Sequence, residues 1–135
     1  MDRDPLKVQV VSAEKVVWSG EAVQLIARTV EGDIGILPGH EPLLALLVPS
    51  RVEIVTADGR QEALFVDGGF ISVAEGRVSV LAQEARMGQE ISARDAQAEL
   101  DGLTLKHQNG EATEEEQHRM HLLKAQLAAA EKAAR

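Results

Sequence analysis

All four prolines and eight of the eleven glycines lie before Gly88, and no proline follows it. A chain punctuated in this way cannot be a single helical bundle, because proline and glycine interrupt helices and favour turns and strand edges. Between the breaks lie short runs of Val, Ile and Leu: LKVQVV (6–11), AVQLIARTV (22–30), RVEIVTA (51–57), EALFVD (62–67), FISVA (70–74) and RVSVLA (77–82). Each alternates or runs apolar over the length of a strand. Asp58-Gly59 and Glu75-Gly76 separate pairs of these runs and read as two-residue hairpin turns. Residues 1–87 are therefore expected to form an antiparallel β-sandwich or a flattened barrel.

From Gly88 onward the pattern becomes helical, with ten alanines. Ser92 with Asp95, and Thr113 with Glu116, have the spacing of capping boxes, and Asn109-Gly110 between them offers a left-handed stop. Residues 88–135 are thus predicted to be an α-helical hairpin. Glu114, Glu115 and Glu116 crowd the first turn of the second helix while Lys132 and Arg135 sit at its end, as the helix dipole favours. Ala93, Ala96, Leu100 and Leu103 form one narrow stripe; Met120, Leu123, Leu127, Ala130 and Ala134 form its counterpart. Helices this thin bury on the order of a few kcal/mol. The hairpin is expected to be marginal alone and able to take more than one position.

A chain of 135 residues supports one main domain with a satellite element. It has no run of about 18 apolar residues that would span a bilayer, so direct membrane insertion is not expected. MDRDPLKVQV at the start has neither a basic nor an apolar leader segment, and an unexported chain is expected. The absence of cysteine removes disulfides, thiolate zinc sites and a Cys nucleophile. A net charge of −8, 14 scattered Lys and Arg, and only Trp18, Phe65 and Phe70 as aromatic rings argue against nucleic acid as a partner.

The densest motif is GDIGILPGHEP, Gly32 to Pro42. Its glycine spacing fits neither a dinucleotide fingerprint nor a phosphate loop, and no Lys-Ser or Lys-Thr follows. His40-Glu41 opens like a zinc-protease helix, but Leu44 stands where the second His belongs and Pro42 interrupts the turn. His118 and His121, one helical turn apart, can share a cation, although exposed polar residues are the simpler account. None of Ser12, Ser19, Ser50, Ser72, Ser79 and Ser92 lies in a nucleophile elbow. No catalytic constellation, metal site or cofactor is expected. Glu31 and Asp33 straddle Gly32 on a predicted loop, where binding is more plausible than acid-base chemistry. Ile34, Ile36 and Leu37 read equally as core or as contact surface.

VVSAEKVVWSGEA (10–22), EGDIGILPGHEPLLALL (31–47), DGGFISV (67–73) and VSVLAQEA (78–85), in this order and followed by a helical hairpin, strongly resemble the epsilon subunit of bacterial F-type ATP synthases. The resemblance implies a sandwich of about ten strands at the foot of the central stalk, bound to the gamma subunit and to the ring of c subunits. Such a subunit turns with the rotor and couples ion flow to ATP synthesis without chemistry of its own. By position, Glu31, Gly32 and Asp33 face the c ring, while Ser12 and His40 face gamma. The hairpin of the family folds against the sandwich or extends toward the alpha/beta catalytic head, where it restrains ATP hydrolysis; Arg119, Lys124 and Lys132 are its candidate contacts. The implied location is peripheral, on the cytoplasmic face of the bacterial cell membrane. Some members bind ATP through an Ile/Leu-Asp-x-x-Arg-Ala pattern, which here reads Ile91-Ser92-Ala93-Arg94-Asp95-Ala96. Ser92 replaces the acid and Asp95 the cation, and Arg94 is turned by about 100° around the helix. Weak or absent ATP binding is expected. The rival reading is an ATP-sensing regulatory domain whose hairpin responds to nucleotide.

Overall fold

The computed structural model describes residues 4–134 of the chain. Nine strands among them precede the helices: β1 (Leu6–Val11), β2 (Val16–Thr29), β3 (Gly32–Ile36), β4 (Leu43–Leu46), β5 (Ser50–Thr56), β6 (Gln61–Val66), β7 (Phe70–Ala74), β8 (Arg77–Leu81) and β9 (Ala85–Met87). A 3-10 turn, Gly88–Glu90, leads to α1 (Ala93–Gln108) and α2 (Glu114–Ala133).

The strands run in the order β4-β7-β8-β1-β2-β5-β6-β9, with β3 also paired to β2. Every pairing is antiparallel except that of β1 with β8. The 14-residue β2 joins the two halves, because its first part pairs with β1 and its second with β3 and β5. A register shift between Ala22 and Gln24 bends it between them. Leu6, Val8 and Val10 of β1, Ile71 and Val73 of β7, and Val78 and Val80 of β8 meet Leu25, Val52, Ile54, Leu64 and Val66 from the other half in one core.

β2 runs without a break through Ser19-Gly20. The Trp18 ring lies over Gly20, where a Cβ would stand 2.9 Å from the ring. The missing side chain makes room for an indole, not for a reversal. Glu75-Gly76 is the expected two-residue hairpin turn, with φ of 52° and 77° and Ala74 paired to Arg77. Asp58-Gly59 differs: β5 and β6 are joined by four residues, 57–60, rather than two. The Thr56 hydroxyl accepts from the Arg60 amide at 2.8 Å and donates to the Asp58 carboxylate, which widens the loop.

GDIGI, expected as a loop, is strand β3. Arg28 pairs with Asp33 and Thr29 with Gly32 around a two-residue turn, and Gly32 supplies the φ of 123°. The Thr29 hydroxyl ties the turn by donating to the Gly32 carbonyl at 2.8 Å and accepting from the Glu31 amide at 3.1 Å. Two glycines make a poor strand in isolation; ladder bonds to β2 and burial of Ile36 offset that cost.

Both helices begin where the capping residues predict. Thr113 and Glu116 form a complete capping box. Ser92 accepts from the Asp95 amide, but the reciprocal bond is absent, since the Asp side chain is one methylene shorter than Glu. Gly110, with φ 73°, follows the end of α1. Arg135 lies outside the described residues.

The single stripe expected on α2 is corrected to two buried faces, and Ala93 and Ala134 are exposed. Met120 and Leu123, with Leu127, pack on Ala96, Leu100 and Leu103 of α1. Ala125, Ala129 and Ala130, with Leu122, pack on Phe65 of β6 and on Ile91. Of the alanines placed in the single stripe, Ala130 belongs instead to the seat of the hairpin on the sandwich, together with Ala125 and Ala129, which that stripe left out. For the same reason β6 is buried on both faces from Ala63 to Val66.

Candidate interaction surfaces

The β2–β3 turn puts Glu31 at an exposed tip, with Gly32 and Asp33 beside it. Asp33 is not free. The Arg28 Nε donates to its carboxylate at 2.7 Å, and that hydrogen bond holds the Asp33 carboxyl below its usual range. Arg28 escaped sequence reasoning because the partnership exists only once the strand register is known.

The second candidate pair lies on other elements. Ser12 is half-buried in the β1–β2 turn, where its hydroxyl accepts from the amides of Glu14 and Lys15, each at 3.3 Å. It lines a shallow groove of about 450 Å³ with Phe70 and Leu81. Half-buried His40 closes a turn through its amide to the Leu37 carbonyl at 3.0 Å, and its Nδ1 lies 2.6 Å from the Glu41 carbonyl oxygen.

Beyond His40 runs β4, an edge strand whose ladder is with β7 and whose Leu46 carbonyl also accepts from the Val30 amide at 3.0 Å. Leu44 and Leu46 on its outer face are 73% and 61% exposed, and Phe70 stands across from Leu46. Leu37 is exposed as well, while Ile36 is fully buried and Ile34 packs on the core. The trio that read equally as core or surface is therefore divided. Aliphatic side chains on an open edge strand are unusual in a chain left to itself. The sequence signal was LLALL, whose alternate members point out.

Of the three candidate contact cations on the hairpin, two are engaged. Arg119 makes a bidentate bond to Glu99 of α1 at 2.6 and 3.0 Å, and Lys132 lies 3.4 Å from Glu53 of β5. Lys124 is exposed at a cleft of about 310 Å³ between α2 and the sandwich, shared with Arg28, Arg51, Glu53 and His121. Arg51 crosses that interface, donating from Nη1 to the Ala128 carbonyl at 3.2 Å while its Nε pairs with Glu53.

The Arg119 hydrogen bonds lower the Glu99 carboxyl from the ordinary 4.5, and the Lys106 hydrogen bond does the same for Glu116. A lowered carboxylate contributes stability above its unfolded pKa and loses it as pH falls through the folded value. Helix pairing is thus expected to weaken in acid, below the ordinary glutamate range. Carboxyl-carbon NMR titration of Glu99 should give a midpoint under 4.5, and a midpoint at or above it would remove the ion pair from solution.

These ionised, solvated carboxylates are unsuited to general acid or base work near neutral pH. No group of three or more His, Cys, Asp and Glu side chains that could hold a metal occurs among the described residues.

Residues 5–88 match the family described as ATP synthase, Delta/Epsilon chain, beta-sandwich domain. The ATP synthase epsilon chain of Cutibacterium acnes is 46% identical over 96% of this chain and 94% of its own. The chain belongs to the ATP synthase epsilon family. The epsilon chain of Streptomyces avermitilis is 48% identical over 71% of this chain and 77% of its own. A chain of the Euglena gracilis mitochondrial ATP synthase superposes with a TM-score of 0.82, covering 96% of this chain and 84% of that one. At 21% identity this last likeness concerns fold alone. The epsilon family thus accounts for the sandwich and the hairpin together.

Proposed function

We propose that this chain is a noncatalytic rotor subunit in the central stalk of a bacterial ATP synthase, coupling ion flow through the membrane sector to ATP synthesis. Its sandwich binds the gamma subunit and the c-subunit ring, and its hairpin, residues 88–135, is a mobile element that restrains ATP hydrolysis when it reaches the alpha/beta head. The relatives' family supports the noncatalytic reading. The c-ring contact is assigned to the tip formed by Glu31, Gly32 and Asp33. Association with the membrane is peripheral, on its cytoplasmic face; no described helix is long and apolar enough to cross. Nucleotide binding at the hinge is weak or absent, because Ser92 is committed to capping α1 and Asp95 brings negative charge to its first turn.

The observation that carries the gamma contact is the uncovered aliphatic edge of β4, flanked by His40. Leu46→Glu places an unpaired carboxylate in that interface, at a cost of about 2 kcal/mol. Gamma binding should therefore weaken by about 30-fold, and His40→Arg should weaken assembly in the same direction. Titration of purified gamma against the folded variants measures this. Unchanged affinity in both would remove gamma from this face.

A further inference from the structure

The hairpin touches the sandwich at one point with no side chain between backbones. A Cβ built on Gly88 would lie 2.4 Å from the Ala129 carbonyl oxygen, 2.9 Å from the Ala129 carbonyl carbon and 2.9 Å from the Ala133 Cβ. Two of these are backbone atoms of α2, so no rotamer change relieves the overlap. Gly88 is buried and opens the 3-10 turn that links β9 to α1. Met87, one residue before, belongs to the sandwich core, and Ile91 belongs to the cluster under α2. The chain crosses from one packing unit to the other within these few residues.

The two faces of α2 are unequal. Toward α1 it presents Met120 and Leu123 and is fastened by the Arg119–Glu99 and Lys106–Glu116 pairs at 2.6 Å each. Toward the sandwich it presents mostly alanine, fastened by Arg51 to the Ala128 carbonyl and by Lys132 to Glu53. Small side chains bury little area and depend on close approach. Close approach is what Gly88 allows.

We propose that Gly88 is the latch of the hairpin: its bare Cα lets α2 seat on the sandwich, and when the seat is lost the two helices leave as a closed pair. The alanine face loses its contacts with a small separation, while the leucine and methionine seam between the helices is unaffected by anything at residue 88. In the rotor, this contact sets how often the hairpin is free to act on hydrolysis; that consequence rests on the function proposed above, whereas the latch itself does not.

The chain has no cysteine, so pairs of introduced cysteines carry spin labels cleanly. One pair, Lys7→Cys with His118→Cys, spans sandwich and α2; the other, Ala98→Cys with His118→Cys, spans the helices, and all three positions are exposed. In the full-length chain, Gly88→Ala is expected to replace a narrow Lys7–His118 distance distribution with a broad, shifted one and to leave the Ala98–His118 distance unchanged. Ala125→Gln, which crowds the same seat from the helix side, should do likewise without altering the turn. An unchanged Lys7–His118 distance in both folded variants overturns the latch, and loss of the Ala98–His118 distance overturns release as a closed pair. In the assembled synthase, Gly88→Ala should lower ATP hydrolysis. Release in the labelled chain with hydrolysis unchanged would refute the inhibitory role while leaving the latch standing.

Discussion

Gly69→Ala should cost this chain about 4 kcal/mol or more, against a total stability of about 5–15 kcal/mol for a domain of ordinary size. Two effects combine at residue 69. Its φ of 89° is in the left-handed region, where a Cβ costs about 1–2 kcal/mol. A Cβ there would also stand 1.9 Å from the Leu81 carbonyl oxygen and 2.8 Å from the Ala82 Cα. Those atoms belong to the last residue of β8 and the residue after it, so relief requires parting two segments of main chain. The Gly69 carbonyl meanwhile accepts from the Leu47 amide at 2.8 Å, and Asp67 bonds Glu84 through both its amide and its carboxylate. Movement at residue 69 therefore pulls on β4 and on the approach to β9 together. A fall of about 15 °C or more in the thermal midpoint is expected. Trp18, the only tryptophan, is half-buried against the sandwich core and reports it directly by fluorescence. Gly35→Ala supplies the contrast, with an ordinary φ and nothing within 4 Å of its Cβ position; it should stay within about 0.5 kcal/mol of wild type. Equal midpoints for the two variants would refute the steric argument.

Phe65→Ala should remove about 3 kcal/mol from the unfolding free energy read at Trp18, the lower end for a buried phenylalanine. Phe65 is fully buried although it lies on the outer face of β6, because α2 covers it; Leu64 and Val66 beside it face the main core. In a chain whose hairpin had left, the Phe65 ring would meet water, and its truncation would cost the sandwich little. The whole loss therefore belongs to docking. The docked population should fall by about two orders of magnitude, at 1.4 kcal/mol per tenfold. Two changes that abolish one docking contact cannot each subtract it, so Phe65→Ala with Gly88→Ala should cost no more than the larger single change. Urea unfolding followed at Trp18 measures all three variants. Additive losses would mean that Phe65 supports the sandwich independently of the hairpin.

The parts of this molecule legible in its sequence are those governed by neighbours along the chain. β1 and β7 begin and end where their alternation does, and Thr113 with Glu116 caps α2 as the spacing predicts. What escaped depends on partners distant in sequence. GDIGI has too many glycines to read as a strand, and becomes one only because β2 lends it a ladder. ALFV at 63–66 is apolar without alternation, the mark of a strand covered on both sides, but only the docked α2 says by what. The alanines at 125 and 129 lie outside the expected stripe, and their small size is the reason the face fits against a glycine. Among the candidate contacts, Glu31 at an exposed tip was foreseeable from its turn; the Arg28 grip on Asp33 and the open edge at Leu44 and Leu46 required the register of the finished sheet.

The one parallel pairing, β1 with β8, has a consequence for how the chain comes into being. Lys7 lies beside Arg77, 70 positions later, so the edge that closes the first half of the sandwich is not available until most of the chain has been synthesised. Closure of such a long loop is a slow step, set by topology more than by the strength of any strand. During translation, β1 and β2 can pair early, but β7 and β8 must arrive before Val8 and Val10 are covered on their far side. The helices follow last from the ribosome, and α2 then finds its seat already built.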